Sequence, residues 1–428
     1  MQLLSSRRWR AAAASAAVLA LVLTGCSSDD SFSYTPPAQA EGALPDDTVA
    51  SMQAAVDNAL VASGASGAIV GVWVPWSGSW VTAVGTQDRD GGGELSTDMS
   101  FRIADVTRLM TCDVLYALAD EGTIKLDANV ADYVSGVADM REQGVTLLDL
   151  CNGTSGAGSS EATVKSALLN TPDRIWAPLE LAGYGLGRPR VAPGTTFRDS
   201  DSGYLLLGLA LERATGKTAS ELIAEYVTDP LDLADTSLPD SAPAAPGDEP
   251  LKGHFMPAVE GGYNCAAPAD ITKLSASSGF TDSGVVSTID DLGRYIQAEA
   301  KQVLRTKEKP DRFGTPLPVT EDGPSWHQAT GGGYLVGSMI GQYGWVPGYA
   351  TAAYSDPTTG FTVAVVLNDS TAGGGFAQRL SWELAAIASK APAASGQTAP
   401  EFGLPFTAEQ YHQVITDAAL VCVPPAAE

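Results

Sequence analysis

The chain has 428 residues and carries 50 acidic against 25 basic side chains, a formal charge of -25 and a pI near 4.3. Such a surface repels phosphate backbones and anionic headgroups, so nucleic acid is excluded as an expected partner. Three histidines and five cysteines without a CxxC pair argue against a zinc site, and no metal or cofactor is expected.

Residues 1–25 read as an export signal, with Arg7, Arg8 and Arg10 ahead of the apolar run Ala11 to Leu23. That run is too short for an ordinary membrane span. Leu23-Thr24-Gly25-Cys26 resembles a bacterial lipobox, which implies lipid attachment at Cys26. The expected location is then the extracytoplasmic face of the cell membrane. Residues 26–45, rich in Ser, Asp, Pro and Ala, read as a flexible tether. Residues 46–390 are long enough for one large domain, and 391–428 read as a linker and short tail.

Within the domain, Val49, Met52, Val56, Leu60 and Val61 recur at helical spacing and end at Gly64. Gly67 to Pro75 and Ser79 to Thr86 are β-rich runs around a turn at Trp76 to Ser79. A helix is expected over Thr107 to Gly122. The stretch from about 105 to 270 is mainly helical and reads as a separate lobe. Ser287-Thr288 before Ile289-Asp290-Asp291 is a capped helix start. Tyr334 to Ile340, Tyr349 to Tyr354 and Phe361 to Leu367 are expected strands, followed by a helix over Phe376 to Ala388. This order fits an α/β (α+β) fold, an antiparallel sheet flanked by helices with a helical lobe inserted.

Six short stretches, in this order, resemble the serine β-lactamase and penicillin-binding protein family, in its class C and D-alanyl-D-alanine carboxypeptidase-like branch. They are Phe101-Arg-Ile-Ala104, Thr154-Ser-Gly156, Pro193-Gly194 with Tyr204 to Gly208, Pro230-Leu231 with Asp235-Thr236, Ser287-Thr288 with Asp291-Leu292, and Pro347-Gly-Tyr349. The resemblance covers residues 47–389 and implies a serine acyl-transfer site. Its nucleophile and base come from Ser-x-x-Lys at a helix start. Those positions here are Asp105 and Arg108. A carboxylate is a weak acyl nucleophile, and a guanidinium with a pKa above about 12 cannot serve as a base. The family's Tyr-x-Asn aligns with Asp199-Ser200-Asp201, and its Lys-Thr-Gly or His-x-Gly with Gln342-Tyr343-Gly344.

The expectation is therefore a catalytically degenerate member in which Asp105, Arg108, Asp199, Asp201, Gln342 and Gly344 mark the former site. Arg108 is expected to pair with Asp199 or Asp201, because uncompensated carboxylates in one cleft raise one another's pKa. The expected role is binding of a peptidoglycan-derived ligand or an envelope protein. The alternative is a divergent hydrolase of the β-lactamase, D-Ala-D-Ala carboxypeptidase or esterase type, with Ser155 as the replacement nucleophile weighed and set aside. An even count of four further cysteines, Cys112, Cys151, Cys265 and Cys422, favours two disulfides with three pairings open. The family fold would bring Cys112 beside Cys151, leaving Cys265 for Cys422.

Overall fold

Val363-Ala-Val-Val-Leu367 has no polar face, and it forms a strand covered on both sides. Val363, Val365 and Leu367 point into one apolar core, and Ala364 and Val366 into another, as the period of two in a strand requires. The computed structural model describes residues 34–89, 91–305 and 311–423. The expected signal and Cys26 lie outside them.

Among the described residues, the main sheet has eight strands. They are β1 (Gly67–Val74), β2 (Gly78–Gly85), β3 (Leu317–Pro318), β4 (His327–Thr330), β5 (Gly333–Val336), β6 (Met339–Val346), β7 (Tyr349–Ser355) and β8 (Thr362–Leu367). Every neighbouring pair is antiparallel, in the order β2-β1-β8-β7-β6-β5-β4-β3. The single strand expected over Tyr334 to Ile340 is instead a hairpin, β5 and β6. Gly337 turns the chain at φ 62°, a conformation that glycine adopts without steric cost.

The helices that matter below are α1 (Asp46–Ser63), α2 (Thr107–Asp120), α3 (Leu147–Cys151), α4 (Glu161–Asn170), α5 (Pro178–Leu186), α6 (Asp201–Thr215), α7 (Phe280–Ser283), α8 (Ile289–Ala300), α9 (Gly374–Ala388) and α10 (Ala408–Asp417). Helices α1 and α9 cover one face of the sheet, with α10 packed on them, and α8 covers the other. Helices α2 to α6 fall within the expected helical stretch, and α7, beyond its expected end, packs against α2 and α6.

Both ends of the domain are more ordered than their composition suggests. Residues 34–45, expected as free tether, lie against the body. Tyr34 and Leu44 are buried, Leu44 N donates to Ser79 O, and Ala40 N donates to Pro75 O. The tail contains α10, capped by Thr407, whose Tyr411 and Ile415 enter the core beneath Trp382. Three spaced apolar anchors, Phe406, Tyr411 and Ile415, outweigh the polar composition around them. The disulfides Cys112–Cys151 and Cys265–Cys422 both form, the pairing that the resemblance implied. The first joins α2 to α3, and the second ties residues 157 apart.

One buried charge cluster locks α2 to α8. Arg312, wholly enclosed, reaches Asp113 on α2 and Glu299 on α8, the latter at 2.6 Å. It also donates to the Leu109 and Gly331 carbonyls, and Tyr295 donates to Asp113 at 2.7 Å. Burial pushes the Glu299 carboxyl well above the usual range. Removing one partner from such a set strands the remaining charge. Arg312→Leu is expected to lower stability by about 3–5 kcal/mol in a urea titration, and a loss under about 1 kcal/mol would show the cluster to be dispensable.

Candidate functional site

The site is organised by the turn before α2. Phe101 and Arg102 pair with Ser287 and Val286, and Ile103 N donates to Val285 O at 3.0 Å. The Arg102 guanidinium is buried and donates to the Ala244 and Leu274 carbonyls. A single 3₁₀ turn, Ala104–Val106, then enters α2. Ala104 sits at φ 50°, a left-handed conformation that costs a residue with a side chain energy. The strain presents Asp105 to the cleft. Thr107 faces inward, where its Oγ1 accepts from Val285 N at 3.2 Å, a structural role.

Arg108 fills the floor. Its Nε donates to Asp282 Oδ1 at 2.8 Å and Nη1 to Asp199 Oδ1 at 2.6 Å, and Nη2 lies 3.1 Å from Asp105 Oδ2. All three fork nitrogens are thus occupied by carboxylates from three segments. The Tyr204 ring lies against the guanidinium with its centroid 4.8 Å from Cζ. Burial alone would lower the pKa of Arg108, but Asp105, Asp199 and Asp282 overturn that and hold it protonated. The carboxyls feel the opposite pull. Desolvation raises Asp105 well above the usual range, although Arg108 partly offsets it, and lifts Asp282 to about 6. With burial dominating, the floor holds protons more tightly than free carboxylates would.

The expected Arg108–Asp199 pair is present, whereas Asp201 has another partner. It accepts from Ser160 N at 2.7 Å and from the Ser160 hydroxyl, tying the start of α6 to the loop before α4. Asp282 takes the place that Asp201 was expected to share. Gln342 does not line the cleft: it is buried, and its Nε2 donates to Gly332 O at 2.7 Å, steadying the turn before β5. Gly344 does line it. A Cβ at Gly344 would stand 2.1 Å from Asp105 Cγ, and one at Gly374 would stand 2.4 Å from the Gly344 carbonyl carbon. Strand β6, the Asp105 turn and the start of α9 therefore meet closely around these two glycines. Ser155 is buried, with Ala157 N 3.4 Å from its Oγ, and does not line the cleft.

Above the floor opens a cleft of about 450 Å³. Val164, Leu168, Leu181, Leu205 and Val346 form its apolar wall. At its edge, Trp345 Nε1 donates to Glu161 at 3.0 Å, and Lys165 Nζ lies 4.3 Å from the Trp345 ring centroid. Tyr343 and Trp345 both line the cleft. Sequence reasoning missed Asp282, Glu161 and Lys165. Asp282 sits in Gly279-Phe-Thr-Asp-Ser-Gly284, a short apolar and small-residue run with no motif to single it out.

Two variants test the floor. Gly344→Ala drives a methyl into Asp105 and is expected to cost about 1–3 kcal/mol. Gly375→Ala, with no atom within 4 Å of its Cβ, serves as the silent control in the same thermal melts. The Asp282 carboxyl, raised from 3.8 to about 6, gives stability that is fully present below its unfolded pKa and is lost as pH rises through its folded one. Relative to Asp282→Asn, the parent chain should lose stability between about pH 4 and about pH 7 in denaturant titrations. A constant difference across that range would contradict the assignment.

The comparisons with known proteins agree with this fold. A D-stereospecific amidohydrolase from Streptomyces sp. superposes with a TM-score of 0.66 at 22% identity, covering 79% of this chain and 98% of that one. The D-amino acid amidase of Ochrobactrum anthropi SV3 gives 0.66 at 20%, covering 80% and 97%. At such identities the likeness concerns the fold alone. AmpH of Escherichia coli (strain K12), a D-alanyl-D-alanine-carboxypeptidase/endopeptidase, is 29% identical over 202 residues, 47% of this chain and 49% of AmpH. The match thus spans about half of that relative's length. Esterase EstB of Burkholderia gladioli is 26% identical over 318 residues, 65% of this chain and 73% of EstB. The family model described as Beta-lactamase matches residues 52–386, most of the chain, and the protein belongs to the beta-lactamase family.

Proposed function

We propose that this protein is a lipid-anchored, extracytoplasmic binding protein of the cell envelope that has kept the family cleft and given up acyl transfer. One observation carries the reading. The positions that would hold nucleophile and base, Asp105 and Arg108, are joined to each other and to Asp199 and Asp282 in a buried ion network. A working acyl site needs a deprotonated nucleophile beside a group that can release and accept its proton. Arg108 cannot give up its proton, and each of its fork nitrogens is already engaged. Lys165, the other cation of the lining, lies on the Trp345 ring at the edge.

The cleft remains open above this floor, which favours ligand binding over a purely structural role. The likeness to AmpH, a D-alanyl-D-alanine-carboxypeptidase/endopeptidase, supports a peptidoglycan-derived ligand in preference to an envelope protein. The lipobox-like Leu23 to Cys26 supports anchoring at the membrane.

Incubation with a fluorescent penicillin, followed by denaturing gel electrophoresis, tests the central claim. The expected outcome is no covalent band and no turnover of a chromogenic cephalosporin. A band that withstands denaturation and vanishes on substitution of one cleft residue would restore the hydrolase reading.

A further inference from the structure

The cleft lining carries five carboxyl groups, Asp105, Glu161, Asp199, Asp201 and Asp282, against two cations, Arg108 and Lys165. Asp201 and Glu161 have donors in Ser160 and Trp345, but Asp282 and Asp199 are only partly engaged. Asp282 is 7% exposed and gives Oδ1 to Arg108, while its Oδ2 meets no donor among the described residues. Asp199 likewise offers only Oδ1 to Arg108, and its side chain is 54% exposed. These oxygens open onto the cleft, where a ligand can supply the donor they lack. The apolar wall of Val164, Leu168, Leu181 and Leu205 belongs to the same cavity, so an ideal occupant is polar at one end only.

We infer that the cleft takes a ligand presenting a protonated amine toward Asp282 and Asp199, with an apolar group beside it on the Leu168 wall. This deepens the non-catalytic reading above and rests on it. Ammonium donates up to three hydrogen bonds and needs only one or two carboxylate oxygens, so Arg108 can stay in place. A divalent cation needs six or more oxygen ligands close around it, and the Arg108 guanidinium already occupies the floor where they would converge. A ligand carboxylate would face the surplus negative charge instead of relieving it.

Isothermal titration of the full chain with benzylamine, benzyl alcohol, benzoate and calcium chloride tests the assignment. Benzylamine should bind at least about tenfold tighter than the alcohol, the worth of one desolvated ion pair of modest strength, and benzoate should not bind. Amine affinity should rise between about pH 5 and about pH 7 as Asp282, with a pKa of about 6, loses its proton. Asp282→Asn should abolish that rise and leave the alcohol unaffected. Lys165→Met, at the cleft edge and away from the floor, should strengthen amine binding a few-fold, roughly the effect of removing one screened like charge. Equal affinity for amine and alcohol, tighter binding of benzoate, or displacement of the amine by calcium would overturn the proposal. Should Asp282→Asn fail to fold, Lys165→Met and the pH series still decide. Covalent labelling by penicillin would instead sink the non-catalytic reading, so the two failures are told apart.

Discussion

A buried guanidinium has to find acceptors for its whole fork, and in this protein that demand shapes the site. Arg108 draws Asp105 from its own turn, Asp199 from the segment before α6, and Asp282 from α7. These segments lie far apart in sequence and arrive by different routes, yet each must end within hydrogen-bond reach of one planar group. The energetics are two-sided. Taking the charges out of water is expensive, and their mutual attraction offsets this only when the geometry is good. Burial raises the pKa values of Asp105 and Asp282, and three carboxylates around one cation leave oxygens facing the cleft.

The second buried cluster shows the same logic applied to architecture. Arg312 also has two carboxylates, Asp113 and Glu299, and also takes backbone carbonyls to complete its fork. Its side chain is wholly enclosed, which leaves a ligand no access to it. The contrast separates a structural charge cluster from one that borders a binding cleft. Similar residue types do different work according to whether solvent-accessible space lies beside them.

Much of this was legible in the sequence where a residue's environment leaves a local trace. The apolar run of β8, the cap at Thr288 and the order of six short motifs all report backbone constraints, and they led to the fold. The cleft positions Asp105, Arg108, Asp199 and Gly344 were legible too, because flanking residues such as Ile103-Ala104 and Pro347-Gly348 mark them. Asp282 was not legible. It enters the floor through a four-residue helix whose neighbours carry no periodic pattern, and its importance lies in contact with residues some 174 positions away. Gln342 misled for a related reason, since strand register alone cannot tell whether a side chain reaches into the cleft or to the turn at Gly332. The ordering of residues 34–45 and of α10 was hidden because composition averages over segments, whereas a few anchors such as Tyr34, Tyr411 and Ile415 decide whether a segment docks.

The Arg108 network has a consequence for the history and future of the chain. Any single substitution at these positions starts by removing a member of a mutually dependent set. Serine at 105 takes away one counter-charge, lysine at 108 cannot span three acceptors with a planar fork, and a neutral residue at 199 exposes what remains. Positions 105, 108, 199 and 282 are therefore coupled, and substitutions among them act as a set whose effects do not add.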